Sequence, residues 1–177
     1  YSLAGQEESQ IPLNRSFSAP ALSFIVPVYN TPPDYLEALV RSLRVQVPGA
    51  WELVLSDDGS TNRATITWLD KHRLAPGLTV LRNVDNRGIA AATNAGIAAA
   101  QAPWIGFIDH DDALAPHAVD RILRALAARP DCEFLYTDEI IADGELNPVD
   151  VFLKPAFDPV LLSGVNYINH LSLYRRE

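Results

Sequence analysis

Four short polar runs, each directly after an apolar run, hold the residues best able to do chemistry: Tyr29-Asn30, Asp57-Asp58-Gly59-Ser60, Asp109-His110-Asp111-Asp112 and Thr137-Asp138-Glu139. Three of them carry carboxylates, and like charges gathered in one place repel unless a cation, a hydrogen-bond donor or a proton relieves them. In Asp109-His110-Asp111, two carboxylates separated by one residue can offer oxygens to a hard divalent ion such as Mg2+ or Mn2+, which could in turn bind a diphosphate. The plainer alternative is that Asp111 or Asp112 caps a helix beginning near Pro116 while Asp109 only solvates a turn. His110 is either a ligand or simply the side chain pointing away from the two aspartates, and the second is the better reading.

At Asp57-Asp58-Gly59-Ser60 the carboxylates can accept hydrogen bonds from a nucleobase imide or ribose hydroxyls, Gly59 permits a sharp backbone turn, and Ser60 or Thr61 can cap the next helix. A plain strand-to-helix turn is the alternative, but two acids exceed what a cap requires. In Asn86-Arg87-Gly88 the arginine is a candidate phosphate or acceptor contact, or only a solvated side chain near a helix start. Asn94 interrupts an apolar helix face, so it reaches a ligand or makes a structural hydrogen bond.

The elements that must position these groups follow from periodicity. Ala21 to Tyr29, Trp51 to Ser56, Leu78 to Leu81, Trp104 to Ile108 and Cys132 to Tyr136 are short apolar runs bounded by turn residues, the pattern of strands covered on both faces. Between them, Leu36, Leu39, Val40, Leu43 and Val47 recur at helical steps after Pro33, and Pro48-Gly49 ends that helix. Thr61 to Leu74, with Ile66 and Leu69 inward, the alanine-rich Ile89 to Ala100, and Pro116 to Ala128, with Val119, Ile122, Leu123 and Leu126 on one side, are further helices. Alternating strands and helices predict an α/β fold, a mostly parallel sheet with helices on both faces. Ile140 to Lys154 is predicted to be a hairpin or extended excursion, Asp158 to Leu162 a short helix, and Ile168 to Tyr174 a last strand. In such sheets ligands bind beyond the carboxyl ends of the strands, so the polar runs should meet on one rim.

The stretches SFIVPVYNTPPDYLEALVRSL, WELVLSDDGSTN, NRGIAAATNAGIAAAQAPWIGFIDHDD and FLYTDE, in this order, resemble glycosyltransferase family 2, the inverting enzymes of the GT-A fold that use nucleotide-sugar donors. The resemblance runs from about Leu22 to Tyr174. Lys154-Pro155, Asn166-Tyr167-Ile168 and His170 are similar to the branch with bacterial O-antigen and rhamnosyl-type transferases.

The resemblance implies roles. Pro27, Val28 and Tyr29 would line the base of a UDP- or dTDP-sugar, Asp58 would contact that base, and Asp57 would support it or bind ribose. Arg87 and Asn94 would border the nucleotide, with Asp109 and His110 also on the nucleotide side. Asp109 and Asp111 match the D-x-D positions, Asp111 being the best candidate for direct coordination of Mn2+ or Mg2+, and His170 is either a third metal ligand or a structural strand histidine. The implied reaction is attack of a hydroxyl of a saccharide or lipid-linked acceptor on the anomeric carbon, with a carboxylate removing its proton. The family supplies that base beyond the last strand, which here points past Glu177; Asp138 and Glu139 are the weaker candidates within the chain. Polysaccharide or cell-envelope glycan synthesis is the implied setting.

Composition sets the outer bounds. The 177 residues form one domain, taken here as 21–177 after an arm or linker over 1–20. A net charge of −8 argues against sequence-independent nucleic-acid binding and against a polybasic membrane-surface protein. The single cysteine, Cys132, rules out an intrachain disulfide and a cysteine-based zinc cluster. Residues 1 to 20 are polar, without a basic start followed by an apolar core, so secretion by a signal peptide is not expected, and the uncharged stretch Gly88 to Ile108 is a poor membrane span because of Asn94, Gln101, Pro103 and its many alanines. The expected location is the cytoplasm, including the inner face of the membrane. Methionine is absent even at position 1, so a piece of a longer polypeptide, lacking its acceptor-side segment, is expected.

Two other enzyme classes compete. A dinucleotide-binding dehydrogenase needs G-x-G-x-x-G after its first strand, where this chain has Tyr29-Asn30-Thr31-Pro32-Pro33. A metal-dependent phosphohydrolase is compatible with the acid clusters alone. A nucleotide-sugar-binding domain without turnover is the non-enzyme alternative.

Overall fold

The computed structural model describes residues 17–176. Residues 1–16 of the predicted arm, and Glu177 with anything beyond it, lie outside the described residues. Strands β1 (Leu22–Val28), β2 (Trp51–Asp57), β3 (Leu78–Arg82) and β4 (Trp104–Phe107) alternate with helices α1 (Pro33–Arg44), α2 (Arg63–His72) and α3 (Ile89–Ala99). Helix α4 (Ala118–Ala128), strand β5 (Phe134–Tyr136), the hairpin β6 (Glu139–Ala142) and β7 (Pro148–Phe152), helix α5 (Pro159–Gly164) and strand β8 (Ser172–Arg175) complete the chain.

The main sheet has the order β3-β2-β1-β4-β8-β5. β1 pairs in parallel with β2 on one side and β4 on the other, Phe24 facing Leu53 and Gly106. Because side chains alternate across a strand, β1 is apolar on both faces. Leu22, Phe24, Val26 and Val28 join the larger core with Leu36, Leu39, Val40 and Leu43 of α1, Trp68 and Leu69 of α2, and Val119 and Ile122 of α4. Ile25 faces the other way, into a smaller cluster with Val54, Ala100 and Ile105, against which Ile97 of α3 packs. The predicted two-sided sheet is therefore present. Phe17, inside the predicted arm, packs against the larger core, so ordered structure begins before residue 21.

The carboxyl half departs from simple alternation. β8 is antiparallel and wedges between β4 and β5, with Ser172 opposite both Phe107 and Tyr136. The predicted strand over 168–174 shrinks to Ser172–Arg175, and residues 168–171 become the approach to the rim. Periodicity located this strand but could not give its direction, which is set by long-range pairing. The hairpin and the short helix after Asp158 form as predicted.

Helix starts also differ. α2 is capped by Asn62, whose side chain accepts from the backbone N–H groups of Ala64 and Thr65, not by Ser60 or Thr61. α4 begins at Ala118, and neither Asp111 nor Asp112 caps it. Instead Gln46, in the turn just after α1 and 4% exposed, accepts from Val119 N at 3.1 Å and donates to Ala115 O at 3.0 Å, tying the start of α4 to the end of α1.

The alanines of α3 let it lie close to β1. A methyl group at Gly96 would stand 2.5 Å from Cγ2 of Ile25, a fully buried β-branched side chain with little freedom to move. Alanine would gain about 1 kcal/mol of helix propensity, but overpacking costs about 1–3 kcal/mol. Gly96→Ala should therefore lower stability by up to about 2 kcal/mol, and Gly96→Val by more, read as lower urea midpoints; a midpoint raised by Gly96→Ala would contradict the packing.

Candidate active site

The strand order reverses direction at β1, whose neighbours β2 and β4 are reached by connections lying on opposite faces of the sheet. A crevice opens at such a point beyond the carboxyl ends of the strands. There the structure places Tyr29 and Asn30 after β1, Asp57 and Asp58 at β2, and Asp109 to Asp112 after β4. β5 delivers Asp138 and Glu139 to the same rim, and antiparallel β8 delivers His170 just before its first residue.

The β2 side is held by hydrogen bonds within the chain. Asp57 is completely buried; it accepts from Ser60 N at 3.1 Å and from Arg82 Nε at 3.2 Å. Its carboxylate is thus engaged inside the fold, at the turn that carries Asp58. Asp58, 3% exposed, accepts from Arg87 N at 3.0 and 3.1 Å, from Gly88 N at 2.7 Å and from Asn83 Nδ2 at 3.1 Å. These are three donors, the Arg87 N–H being shared between both oxygens, against the roughly four lone-pair sites of a carboxylate. Asp58 thus secures the 83–88 loop through backbone N–H groups, while the Arg87 side chain is exposed at the loop's surface.

Asn30 does similar work across the crevice. In the left-handed region at φ 52°, its side-chain oxygen accepts from Thr61 N and Asn62 N at 2.8 and 2.7 Å, and its own N–H donates to Ser60 Oγ at 2.8 Å. Sequence reasoning gave Asn30 no role, although asparagine tolerates this conformation and commonly bonds to nearby backbone. Gly59, at φ 73°, must be glycine for a second reason, since a Cβ there would meet backbone atoms of Asp85 and Asn86 at 2.7 and 2.8 Å. Val28 is buried, Pro27 half-buried and Tyr29 50% exposed, so Tyr29 is the member of this trio presented to solvent. Asn94 is exposed on α3.

The β4 side is unlike this. Asp109, Asp112 and His170 can bring one ligand atom each within 4.8 Å of one another. His170 Nδ1 lies 3.2 Å from Asp112 Oδ2, and its Nε2 lies 3.8 Å from Asp109 Oδ2. The side chains remain 55%, 44% and 41% exposed for Asp109, Asp112 and His170. Burial pushes the Asp112 carboxyl above the usual carboxylate range; His170 opposes this, and the neighbouring charges of Asp109 and Asp111 add to it. Two carboxylates and an imidazole suit a divalent ion such as Mn2+, and their exposure leaves coordination positions open to a ligand. The residues therefore fit the ion the sequence implied, with Asp112 and His170 joining Asp109. Asp111 is exposed in the same turn but outside this group, and His110, half-buried, is also outside it. The sequence places Asp112 in the acidic run and offers it as a helix cap but not as a ligand, because spacing alone does not show which acids of a D-x-D-D run turn toward a distant histidine.

Asp138 and Glu139 are engaged by Lys154: Asp138 Oδ1 accepts from Lys154 N at 2.7 Å, and Glu139 Oε1 lies 3.7 Å from Lys154 Nζ.

These features define an open, mostly parallel α/β domain with an acidic rim at the carboxyl ends of its strands. The chain belongs to glycosyl transferase family 2, whose family profile matches residues 23–177. It is 34% identical over 176 residues to the uncharacterized protein y4gI of Sinorhizobium fredii, covering 98% of this chain and 19% of that protein. It is 33% identical over 159 residues to the O-antigen biosynthesis protein RfbC of Myxococcus xanthus, covering 89% of this chain and 12% of that protein. The chain thus spans a small part of the length of these relatives. Among solved structures, S. aureus TarS 1-349 in complex with UDP superposes with a TM-score of 0.58 at 27% identity, covering 65% of this chain and 34% of that one. The fold is accordingly the GT-A type. Among the described residues no helix is long and apolar enough to cross a membrane.

Because its hydrogen bonds favour the charged form, chiefly the one from Arg87 N, the Asp58 carboxyl is held below its ordinary value of 3.8. A depressed carboxylate contributes stability above its unfolded value and loses it as pH falls through the folded one. The Arg87 and Gly88 amide resonances should therefore titrate with a midpoint below 3.8, and in Asp58→Ala their protection from exchange should be lost at every pH. Unchanged protection would contradict the anchoring role.

Proposed function

We propose that this domain binds the nucleoside diphosphate of a UDP- or dTDP-sugar across the β1/β4 crevice and serves inverting transfer of the sugar to a saccharide or lipid-linked acceptor. The observation that carries this reading is the meeting, on one rim, of the Asp58-anchored loop with the cluster of Asp109, Asp112 and His170. That TarS has been crystallised with UDP and with UDP-GlcNAc supports the uridine form of the reading. The O-antigen biosynthesis name of RfbC supports a role in cell-envelope polysaccharide synthesis.

Each side of the rim has its task. Tyr29 and the loop from Asn83 to Gly88 wall the nucleoside, with Arg87 free to meet phosphate. Asp109, Asp112 and His170 would hold Mn2+ or Mg2+, and Asp111 stands beside them. When bound, such an ion supplies positive charge against the diphosphate as it leaves. The acceptor hydroxyl attacks the anomeric carbon on the face opposite the diphosphate and must lose its proton as it does so. With Asp138 and Glu139 both committed to Lys154, we assign that proton to neither.

Titration calorimetry with UDP or dTDP tests the reading. Binding should require Mn2+ and vanish with chelator, and Asp109→Ala or Asp112→Ala should weaken it by about tenfold or more, as loss of a charged contact costing 1.5–3 kcal/mol implies. The geometry further requires that Asp112→Ala cost at least as much as Asp111→Ala. Equal affinity with Mn2+ and with chelator sinks the metal-dependent reading. Incubating a UDP-sugar with Mn2+, with and without acceptor saccharides, separates transfer from diphosphate hydrolysis.

A further inference from the structure

Lys154 follows β7 on a strongly exposed stretch of chain, yet its side chain is only 1% exposed. Taking an ammonium group out of water is costly unless it is partnered, so its partners show what the burial accomplishes. Nζ donates to the backbone carbonyls of Asn169 and of His170, the latter at 2.9 Å, and lies 3.7 Å from Glu139 Oε1. Two of its three donors are thereby taken by carbonyls, and the Glu139 carboxylate stands nearby as the counter-charge. The backbone of Lys154 is fixed in turn by Asp138.

What Lys154 grips is the approach to β8. Its next residue, Leu171, is held through both its N–H and its C=O by Thr137: Leu171 N donates to Thr137 Oγ1 at 3.2 Å, and Thr137 N donates to Leu171 O at 3.0 Å. His170 has φ 51°, a left-handed conformation uncommon outside glycine though less so for histidine. Thr137 fixes the residue after His170, and Lys154 fixes His170 itself and the residue before. No hydrogen bond to the imidazole other than its contacts with Asp109 and Asp112 orients the ring among the described residues. The placement of the imidazole is therefore set through the backbone.

We propose that Lys154 is a positioning residue: by clamping the carbonyls of Asn169 and His170, its buried ammonium aims the His170 imidazole at Asp109 and Asp112. The value of this positioning rests on the metal reading above, but the positioning itself does not. It also gives the acids Asp138 and Glu139 a task, since they hold the lysine that holds the histidine.

The test takes the chain with Mn2+ alone as probe and compares Lys154→Gln and Lys154→Arg, each with and without His170→Ala. Free Mn2+ is read by electron paramagnetic resonance, and the His170 ring by its carbon–proton correlation, assigned through His170→Ala. Lys154→Gln should weaken Mn2+ binding about 10- to 100-fold, the range for groups that orient a metal ligand. His170→Ala should add little to that loss, and Lys154→Arg should recover part of it. Without metal, the His170 correlation should move in Lys154→Gln while those of His72 and His117 stay. Additive losses, wild-type affinity in Lys154→Gln, or an unmoved His170 correlation overturns the proposal. If the unsubstituted chain binds no Mn2+, the metal reading fails and the metal-free His170 correlation decides the positioning alone. Should Lys154→Gln not fold, Lys154→Arg carries the test, with a displaced His170 correlation expected and an undisplaced one overturning.

Discussion

The parallel pairing of β1 with β2 on one side and β4 on the other is the constraint on which the site depends. A strand buried on both faces is apolar along its length, so polar groups collect where it stops. Because these three strands run the same way, their stopping points fall on one edge, and acids separated by some fifty residues of sequence share a rim. The connections then decide where that edge opens. With α1 on the larger core and α3 on the smaller one, the chain leaves β1 on one face and returns to β4 on the other. The crevice is a product of topology before any side chain is considered, and Gly96 pressing on Ile25 is a local consequence of holding α3 tightly to β1.

The two halves of the rim answer the same electrostatic problem differently. Asp57 and Asp58 are buried, and each is relieved from within: Asp57 by Arg82 and Ser60, Asp58 by the amide groups of Arg87 and Gly88 and the side chain of Asn83. Backbone donors of this kind are fixed by the loop and need no reorganisation, so this half is ready for a ligand. Asp109, Asp111 and Asp112 crowd together with His170 alone opposing them among the described residues, a shortfall of positive charge; the Asp112 carboxyl is raised chiefly by its burial, and the charges of Asp109 and Asp111 add to that. A cation would remove that shortfall. The overall charge of −8 is thus not spread evenly in its effects: part of it is already compensated inside the fold, and part is concentrated where a positive partner would be stabilised.

How much of this was legible follows from the range of the interactions involved. The five parallel or near-parallel strands and their helices could be read from periodicity, because each buries a face whose residues are close in sequence. The helix caps were misread at α2 and α4 because the capping groups compete: Asn62 serves α2 while Ser60 is taken by Asn30, and α4 borrows Gln46 from the turn after α1, some seventy residues earlier. The direction of β8 was out of reach for the same reason. Its partners, Phe107 and Tyr136, are distant in sequence, and nothing in Ser172 to Arg175 itself distinguishes antiparallel from parallel pairing. Asp109 stood out from sequence, whereas Asp112 needed His170 beside it to be noticed.

That direction has a chemical consequence. Had β8 run parallel to β4, its first residue would have lain at the opposite edge of the sheet, and His170 with it. Antiparallel insertion puts the start of β8 at the rim, and the residues leading into it, 168–171, become part of the site. The insertion also draws the β6–β7 hairpin into play, because the chain leaves β5 through Asp138 and Glu139 and must return from Lys154 to reach β8. The departing acids and the returning lysine meet at the place where the chain leaves and re-enters the sheet. A single reversal of strand direction therefore accounts for a histidine at the acidic turn, a buried lysine behind it and two acids spent on holding that lysine.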